Sequence, residues 1–243
     1  MRIDLFLFEH GRATSRTDAK RLIGEGAVTV NGKPVSKPSL DVSDADDIVV
    51  TETECRYVSR GGLKLKAALD EFAIDTAGRY ALDIGASSGG FTDCLLRSGV
   101  AHVIAVDSGY GQIAATLRCD KRVTVIENYN ARYMKREDLD YMPGIIAMDV
   151  SFISATCIIP AIYDVALNGA DFICLVKPQF EVGRAGVGKG GIVKDERLRK
   201  AALEKVIECA ISTGFEFKSS CVSPIKGGDG NIEYLVHFIV KKE

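Results

Sequence analysis

Apolar residues recur along this chain with changing periods, and a shift near residue 60 divides it. Up to about Val50 the elements are short. Ile3, Phe6 and Leu7 share one face of a helix that Gly11 ends, and Ser15 opens a second helix with Ala19, Leu22 and Ile23 inward. Ala27-Val28-Thr29-Val30 then alternates, Asn31-Gly32 is the strongest two-residue hairpin signal, and Asp47-Ile48-Val49-Val50 supplies a later strand. After Ser59-Arg60-Gly61-Gly62 a helix begins at Leu63-Lys64-Leu65, and apolar runs separated by helices follow. Residues 80–84, 102–106, 123–126, 144–148, 171–176, 215–222 and 232–240 are predicted strands. Such runs, separated by helices, belong to a mostly parallel sheet covered on both faces, with its ligand in the crevice at the strand C-terminal ends. The pattern predicts a small α+β module at residues 1–54, a polar linker at 55–62 and a seven-stranded α/β domain at 63–243.

The chain has 243 residues, enough for such a pair of domains. Its net charge of −2 excludes a uniformly basic surface, so contact with a polyanion has to be a local patch. Such a patch exists: residues 10–37 hold six Lys or Arg against two acids, with Arg12, Arg16 and Lys20 at helical spacing. Residues 41–54 hold six acids and no base, which hides the patch in any domain-wide sum. Seven cysteines are scattered without a C-x-x-C or neighbouring histidines, so neither a metal site nor a disulfide framework is expected, and a reducing cytoplasm fits. Asp4 and Glu9 interrupt the first apolar residues, which excludes a signal peptide there. Asp149, Pro160 and Asp164 interrupt the longest apolar stretch, so no membrane insertion is expected.

Candidate chemistry gathers at the predicted strand ends. Ala81-Leu82-Asp83-Ile84 runs into Gly85-Ala86-Ser87-Ser88-Gly89-Gly90 and then into a helical pattern, so a ligand on that turn would meet backbone and free helix N–H groups. The spacing is neither G-x-G-x-x-G nor a P-loop. Asp83 and Asp107, each near the end of an apolar run, suit hydroxyls and a cation better than phosphate. This resembles the S-adenosylmethionine (AdoMet) turn of Rossmann-like methyltransferases. Asp149 closes the run before it, and Lys177 closes another just ahead of Pro178. The two are either a structural ion pair or two charged groups facing one crevice. Glu233 and Lys64 supply two further ionisable groups.

Ordered motifs extend the resemblance over nearly the whole chain. Ser15-Arg16-x-x-Ala19-x-x-Leu22-Ile23-x-x-Gly26-x-Val28-x-Val30-Asn31-Gly32 resembles the S-four fold of a small-subunit ribosomal protein, which holds structured RNA by backbone and shape. With Ser59-Arg60-Gly61-Gly62-x-Lys64-Leu65, Asp83 to Asp93, Asn130-Ala131-Arg132, Asp149-Val150-Ser151-Phe152-Ile153-Ser154, Leu175 to Glu181 and Asn231-x-Glu233-Tyr234, the chain resembles the haemolysin A (TlyA) family. These are ribosomal RNA 2'-O-methyltransferases that join an S-four module to an FtsJ-type domain. The resemblance implies a Lys-Asp-Lys-Glu tetrad at Lys64, Asp149, Lys177 and Glu233, with Lys177 as base, held by Asp149 and Glu233 and flanked by Lys64. It implies S-adenosyl-L-methionine bound by Asp83, Gly85, Ala86, Ser87, Gly89, Gly90, Asp107, Asn130 and Asp149. It places Arg2, Arg12, Arg16, Lys20, Arg21, Lys33 and Arg60 on ribosomal RNA, free or within a ribosomal subunit, and implies cytidine as the nucleotide class. A non-catalytic RNA-binding or assembly factor is the alternative reading, and a membrane-active haemolysin a weaker one. The family's Arg-x-Trp-Val linker reads Cys55-Arg56-Tyr57-Val58 here, and the chain has no Trp.

Overall fold

A computed structural model describes residues 1–13, 16–24, 26–50 and 57–242, apart from the Arg21 side chain. The predicted helix opener Ser15 and the linker residues Cys55 and Arg56 lie outside the described residues. The chain divides into two units, Met1–Arg56 and Tyr57–Glu243, so residues 57–62 of the expected linker go with the second.

In the first unit α1 (Ile3–Glu9) and α2 (Arg16–Gly24) precede the strands β1 (Val28–Val30), β2 (Lys33–Pro34) and β3 (Ile48–Val50). The strands form an antiparallel sheet in the order β2-β1-β3. The β1–β2 turn is Asn31-Gly32, with φ +51 and +74, the two left-handed residues that a tight hairpin of this twist requires. The Asn31 side chain also accepts from Asp47 N–H and donates to Asp46 Oδ1, both at 2.9 Å, which ties the turn to the approach of β3. Ile3, Leu7, Ile23, Val28 and Ile48 form the core of this unit.

The second unit runs α3 (Gly61–Glu71), β4 (Tyr80–Ile84), α4 (Gly90–Arg97), β5 (His102–Val106), α5 (Ala115–Arg118), β6 (Val123–Ile126), β7 (Ile145–Met148), α6 (Ile159–Val165), β8 (Asp171–Val176), α7 (Glu196–Thr213), β9 (Phe215–Val222) and β10 (Tyr234–Val240). The sheet order is β6-β5-β4-β7-β8-β10-β9; β4 to β8 are parallel and β10 is antiparallel to both its neighbours. This is the Rossmann-like seven-stranded arrangement expected, and its strands start within two residues of the predicted positions. Leu82, Ile104, Ile146 and Phe172 face one core with Ile162 and Val206, whereas Ala81, Val103, Ile145 and Ile173 face the other with Leu65 and Leu95. Neighbouring residues of one strand therefore serve opposite layers, and each fully buried aliphatic side chain contributes about 1.5–3 kcal/mol. The chain leaves β4 for β5 and β6 and then returns to β7 on the other side of β4. Connections therefore part at the C-terminal ends of β4 and β7, which opens a crevice there.

Candidate functional site

Gly85 follows β4 and Asp149 follows β7, and their backbones meet in that crevice. A Cβ on Gly85 would lie 2.3 Å from the Asp149 carbonyl oxygen, and Gly85 has φ +83, so both space and conformation require glycine. A cavity of about 490 Å³ opens over this crossing, a volume suited to a small-molecule ligand. Of the residues expected at a cofactor, Gly85, Ser87, Asp107, Asn130 and Asp149 line it. Asp83, Ala86, Gly89 and Gly90 lie outside its wall. Ala86 packs into the core, and Gly89, with φ +96, precedes α4 and has no room for a Cβ against Leu117. Gly90 is pressed against Ser59, whose Oγ would lie 2.2 Å from an added Cβ. These three shape the turn from beneath.

Asp107 is fixed by the backbone: its Oδ2 accepts from Ser87 N–H at 2.7 Å and its Oδ1 from Gly109 N–H at 2.6 Å. Each carboxylate oxygen keeps a further lone pair. Held rigidly at the cavity wall, Asp107 suits a ligand that carries adjacent hydroxyls. Asn130 uses its Oδ1 to cap the 3₁₀ turn Ala131–Tyr133 by accepting from Arg132 N–H at 3.1 Å, which leaves its amide N–H groups for other partners.

Asp83 lies one layer deeper, with no exposed surface, and its Oδ2 accepts from Thr92 Oγ1 at 2.6 Å. Burial pushes its pKa up to about 7; the Thr92 bond opposes this, and repulsion from Asp149 and Asp107 adds to it. In an unfolded chain an aspartate titrates near ~3.9. The native state therefore binds the extra proton between these values, and this group's contribution to stability is full below about pH 4 and is lost as pH rises through about 7. Asp83→Asn should remove that loss: the gain in Tm of the variant over the parent grows from pH 5 to pH 8. A gain that is independent of pH would show that Asp83 is ionised throughout.

The four expected catalytic residues form two ion pairs. Lys64 Nζ lies 2.5 Å from Glu233 Oε2, and Lys177 Nζ lies 2.5 Å from Asp149 Oδ1. The expected pairing of Glu233 with Lys177 is thereby corrected. α3 packs against β10 and brings Lys64 to Glu233, and Gly227 leaves room for the carboxylate, since a Cβ there would sit 2.4 Å from Glu233 Oε1. Glu233 and Lys177 each lie one step beyond the last register pair of β10 and β8, Tyr234 with Val176, so both pairs occupy the same sheet edge. Lys177 also donates to Ser151 Oγ at 2.8 Å. An ammonium has three donor positions, so these two contacts leave one over.

In the first unit Arg2 and Arg16 converge on Asp4, which has no exposed surface, at 3.0 Å each. The Arg2 hydrogen bond leads in holding the Asp4 carboxyl down to about 2. Both guanidiniums thus serve the fold, although both remain about half exposed. Arg12 donates to the Ile48 carbonyl, while Lys20 and Lys33 are exposed. Arg60 belongs to the second unit, where it is exposed at the start of α3.

Phe152 is the residue that sequence periodicity could not single out. It is 92% exposed, at the cavity wall, with φ +65, a conformation that costs a bulky side chain energy. Its ring lies 5.4 Å from that of Phe180. The only sequence signal is its place in the Asp149-Val150-Ser151-Phe152 motif. At the linker, Tyr57 stands at the family's Trp position. It fills the space above Gly62, where a Cβ would lie 2.3 Å from its Cγ, and Arg97 lies 5.7 Å from its ring centroid. Val58 N–H donates to Asp93 Oδ2 at 2.9 Å, so this segment is fastened to α3 and α4.

Residues 57–239 match the FtsJ-like methyltransferase family, and residues 1–49 match the S4 domain. The 16S/23S rRNA (cytidine-2'-O)-methyltransferase TlyA of Mycobacterium tuberculosis is 46% identical over 236 residues, 97% of this chain and 88% of the relative. Hemolysin A of Brachyspira hyodysenteriae is 45% identical over 242 residues, 99% of this chain and 100% of the relative. A solved Streptococcus thermophilus protein, provisionally assigned as a hemolysin, superposes with a TM-score of 0.81 at 40% identity over 100% of this chain and 89% of that one. Among the described residues no helix is long and apolar enough to cross a membrane. The chain belongs to the FtsJ-like methyltransferases that carry an N-terminal S4 domain, the family of TlyA and Hemolysin A.

Proposed function

We propose that this protein methylates the 2'-hydroxyl of a cytidine ribose in ribosomal RNA, with AdoMet as methyl donor. The observation that carries the reading is Lys177, held between Asp149 and Ser151 beside a cavity whose wall includes the fixed Asp107 carboxylate. The cavity residues fit the cofactor: Asp107 suits ribose hydroxyls, Asn130 offers amide N–H donors, and Gly85 allows close approach to the backbone. When bound, AdoMet supplies an electrophilic methyl whose carbon–sulfur bond breaks with its electron pair left on sulfur.

The residues of the chain handle the hydroxyl. A ribose hydroxyl is a poor nucleophile unless a base accepts its proton as it reacts, and a lysine can do so only when neutral. Lys177 is the base once its ammonium has given a proton to solvent, so that the neutral amine accepts the hydroxyl proton, and Asp149 and Ser151 fix its Nζ. The Lys64–Glu233 pair occupies the same sheet edge and orients the hydroxyl. Holding oxygen and methyl in line supplies up to roughly 7–11 kcal/mol of the barrier reduction. Phe152 offers the target base an aromatic face, an interaction worth about 1–3 kcal/mol per stacked base.

The test is to incubate unmodified ribosomal RNA with the purified protein and AdoMet and to map ribose methylation by mass spectrometry. New 2'-O-methylcytidine is expected, and RNA without any new ribose methyl would overturn the proposal. RNA affinity should fall steeply with salt, because the basic module meets phosphates. Removing exposed Lys20 or Lys33 should each reduce the slope of log K against log salt by roughly 0.7–0.9. An unchanged slope in both variants would assign that face to solvent.

A further inference from the structure

Glu181 is a buried carboxylate that the mechanism above does not use. It ends the segment Lys177-Pro178-Gln179-Phe180-Glu181 and is 7% exposed. Its Oε2 accepts from Ser154 Oγ at 2.5 Å, its Oε1 accepts from Ala155 N–H at 2.7 Å, and Lys205 Nζ lies 3.1 Å from Oε2. The same Lys205 ammonium donates to the Glu181 carbonyl oxygen at 3.1 Å. A buried charge is costly unless it is paired and hydrogen-bonded, and here both oxygens are satisfied.

These bonds join two loops at a second place, beyond the contacts that Lys177 makes with Asp149 and Ser151. One follows β8 and carries Lys177. The other follows β7 and carries Asp149, Ser151 and Phe152, and ends at Ser154 and Ala155. The second loop holds Phe152 at φ +65, a strained conformation that persists only where its surroundings enforce it. Glu181 binds just beyond that strained residue, while Lys177 meets Asp149 and Ser151 just before it. The loop is thus fastened on both sides of Phe152 to one five-residue segment.

We propose that Glu181 is a positioning residue whose carboxylate locks the 149–155 loop to the Lys177 segment and so sets the seat of Lys177 and the strained backbone of Phe152. The inference rests on the methyl-transfer reading for its effect on rate, but its structural content can be tested apart from it. The chain has no Trp, so Phe152→Trp places a single reporter in the loop of the full-length protein. In that background Glu181→Ala removes both loop bonds. Glu181→Gln can keep them, since its carbonyl accepts from Ala155 N–H and its amide donates to Ser154 Oγ.

Time-resolved anisotropy of the reporter should show a fast, wide-amplitude motion in Glu181→Ala that is absent from the parent and from Glu181→Gln. With native Phe152 restored, single-turnover methyl transfer should fall about a hundredfold in Glu181→Ala, the order expected for an ångström-scale misplacement, and much less in Glu181→Gln. Should Glu181→Ala fail to fold, Ser154→Ala removes one of the two bonds and should give a smaller effect of the same sign in both measurements. Equal anisotropy in the Ala and Gln variants would overturn the proposal, as would looser anisotropy with an unchanged transfer rate. If the parent itself transfers no methyl to ribosomal RNA, the functional reading fails, while the anisotropy comparison still decides whether Glu181 locks the loop.

Discussion

Lys177→Ala is expected to lower single-turnover methyl transfer by roughly 10²–10⁴-fold, the range for a lost general base, with AdoMet affinity changed by no more than about threefold. Lys177 is about one-tenth exposed at the sheet edge, and its removal frees Asp149, which is partly exposed and can be solvated. The fold should therefore survive. Calorimetry for AdoMet binding and quenched single-turnover assays separate the two effects, and a rate near that of the parent would remove Lys177 from the chemistry. Lys64 behaves differently. Its partner Glu233 is 2% exposed, so Lys64→Ala strands a buried carboxylate, a loss on the order of 3–5 kcal/mol. The double variant Lys64→Met with Glu233→Gln removes both charges together and is the cleaner probe of that pair.

Gly85→Val is expected to abolish measurable AdoMet binding. The new Cβ would overlap the Asp149 carbonyl at 2.3 Å and would also meet Val150, so the β7 loop has to move away from the turn. That movement disturbs the cavity wall from both sides, since Gly85 and Asp149 both line it. A β-branched residue at φ +83 adds backbone strain of about 1–3 kcal/mol, which should appear as a lower Tm. A variant that binds AdoMet as the parent does would place the cofactor elsewhere.

The fold was legible because its signals are local. Apolar strands buried on both faces, broken by helical segments, specify a parallel α/β sheet, and Asn31-Gly32 specifies a hairpin because few other dipeptides tolerate two left-handed residues. Two strands start later than expected, by one residue at Gly144 and by two at Ile232 and Glu233; Glu233 was counted within the last strand, but its side chain turns to Lys64. The glycine turn was legible as a ligand turn, yet the three glycines and the alanine in it do different work. Only Gly85 lines the cavity, while Ala86, Gly89 and Gly90 pack beneath it, a distinction set by what lies across the fold from each.

The site divides in the same way. The charged strand ends Asp149 and Lys177 could be read from the sequence, since the run before each fixes where its strand stops. The pairing of Lys64 with Glu233 could not, because the two are 169 positions apart and meet only through the packing of α3 on β10. The basic stretch of the N-terminal module was visible as composition, but that Arg2 and Arg16 both close on Asp4 depends on how α1 and α2 pack. Phe152 shows the limit most plainly: exposure, a left-handed backbone and a place at the cavity wall come from the loops around it. Sequence determined the elements, their order and the residue types at their ends, because these follow from periodicity and local conformational preference. Which of those end residues touch each other was decided by the tertiary structure, because contact between distant side chains depends on the layer packing and register of the whole sheet.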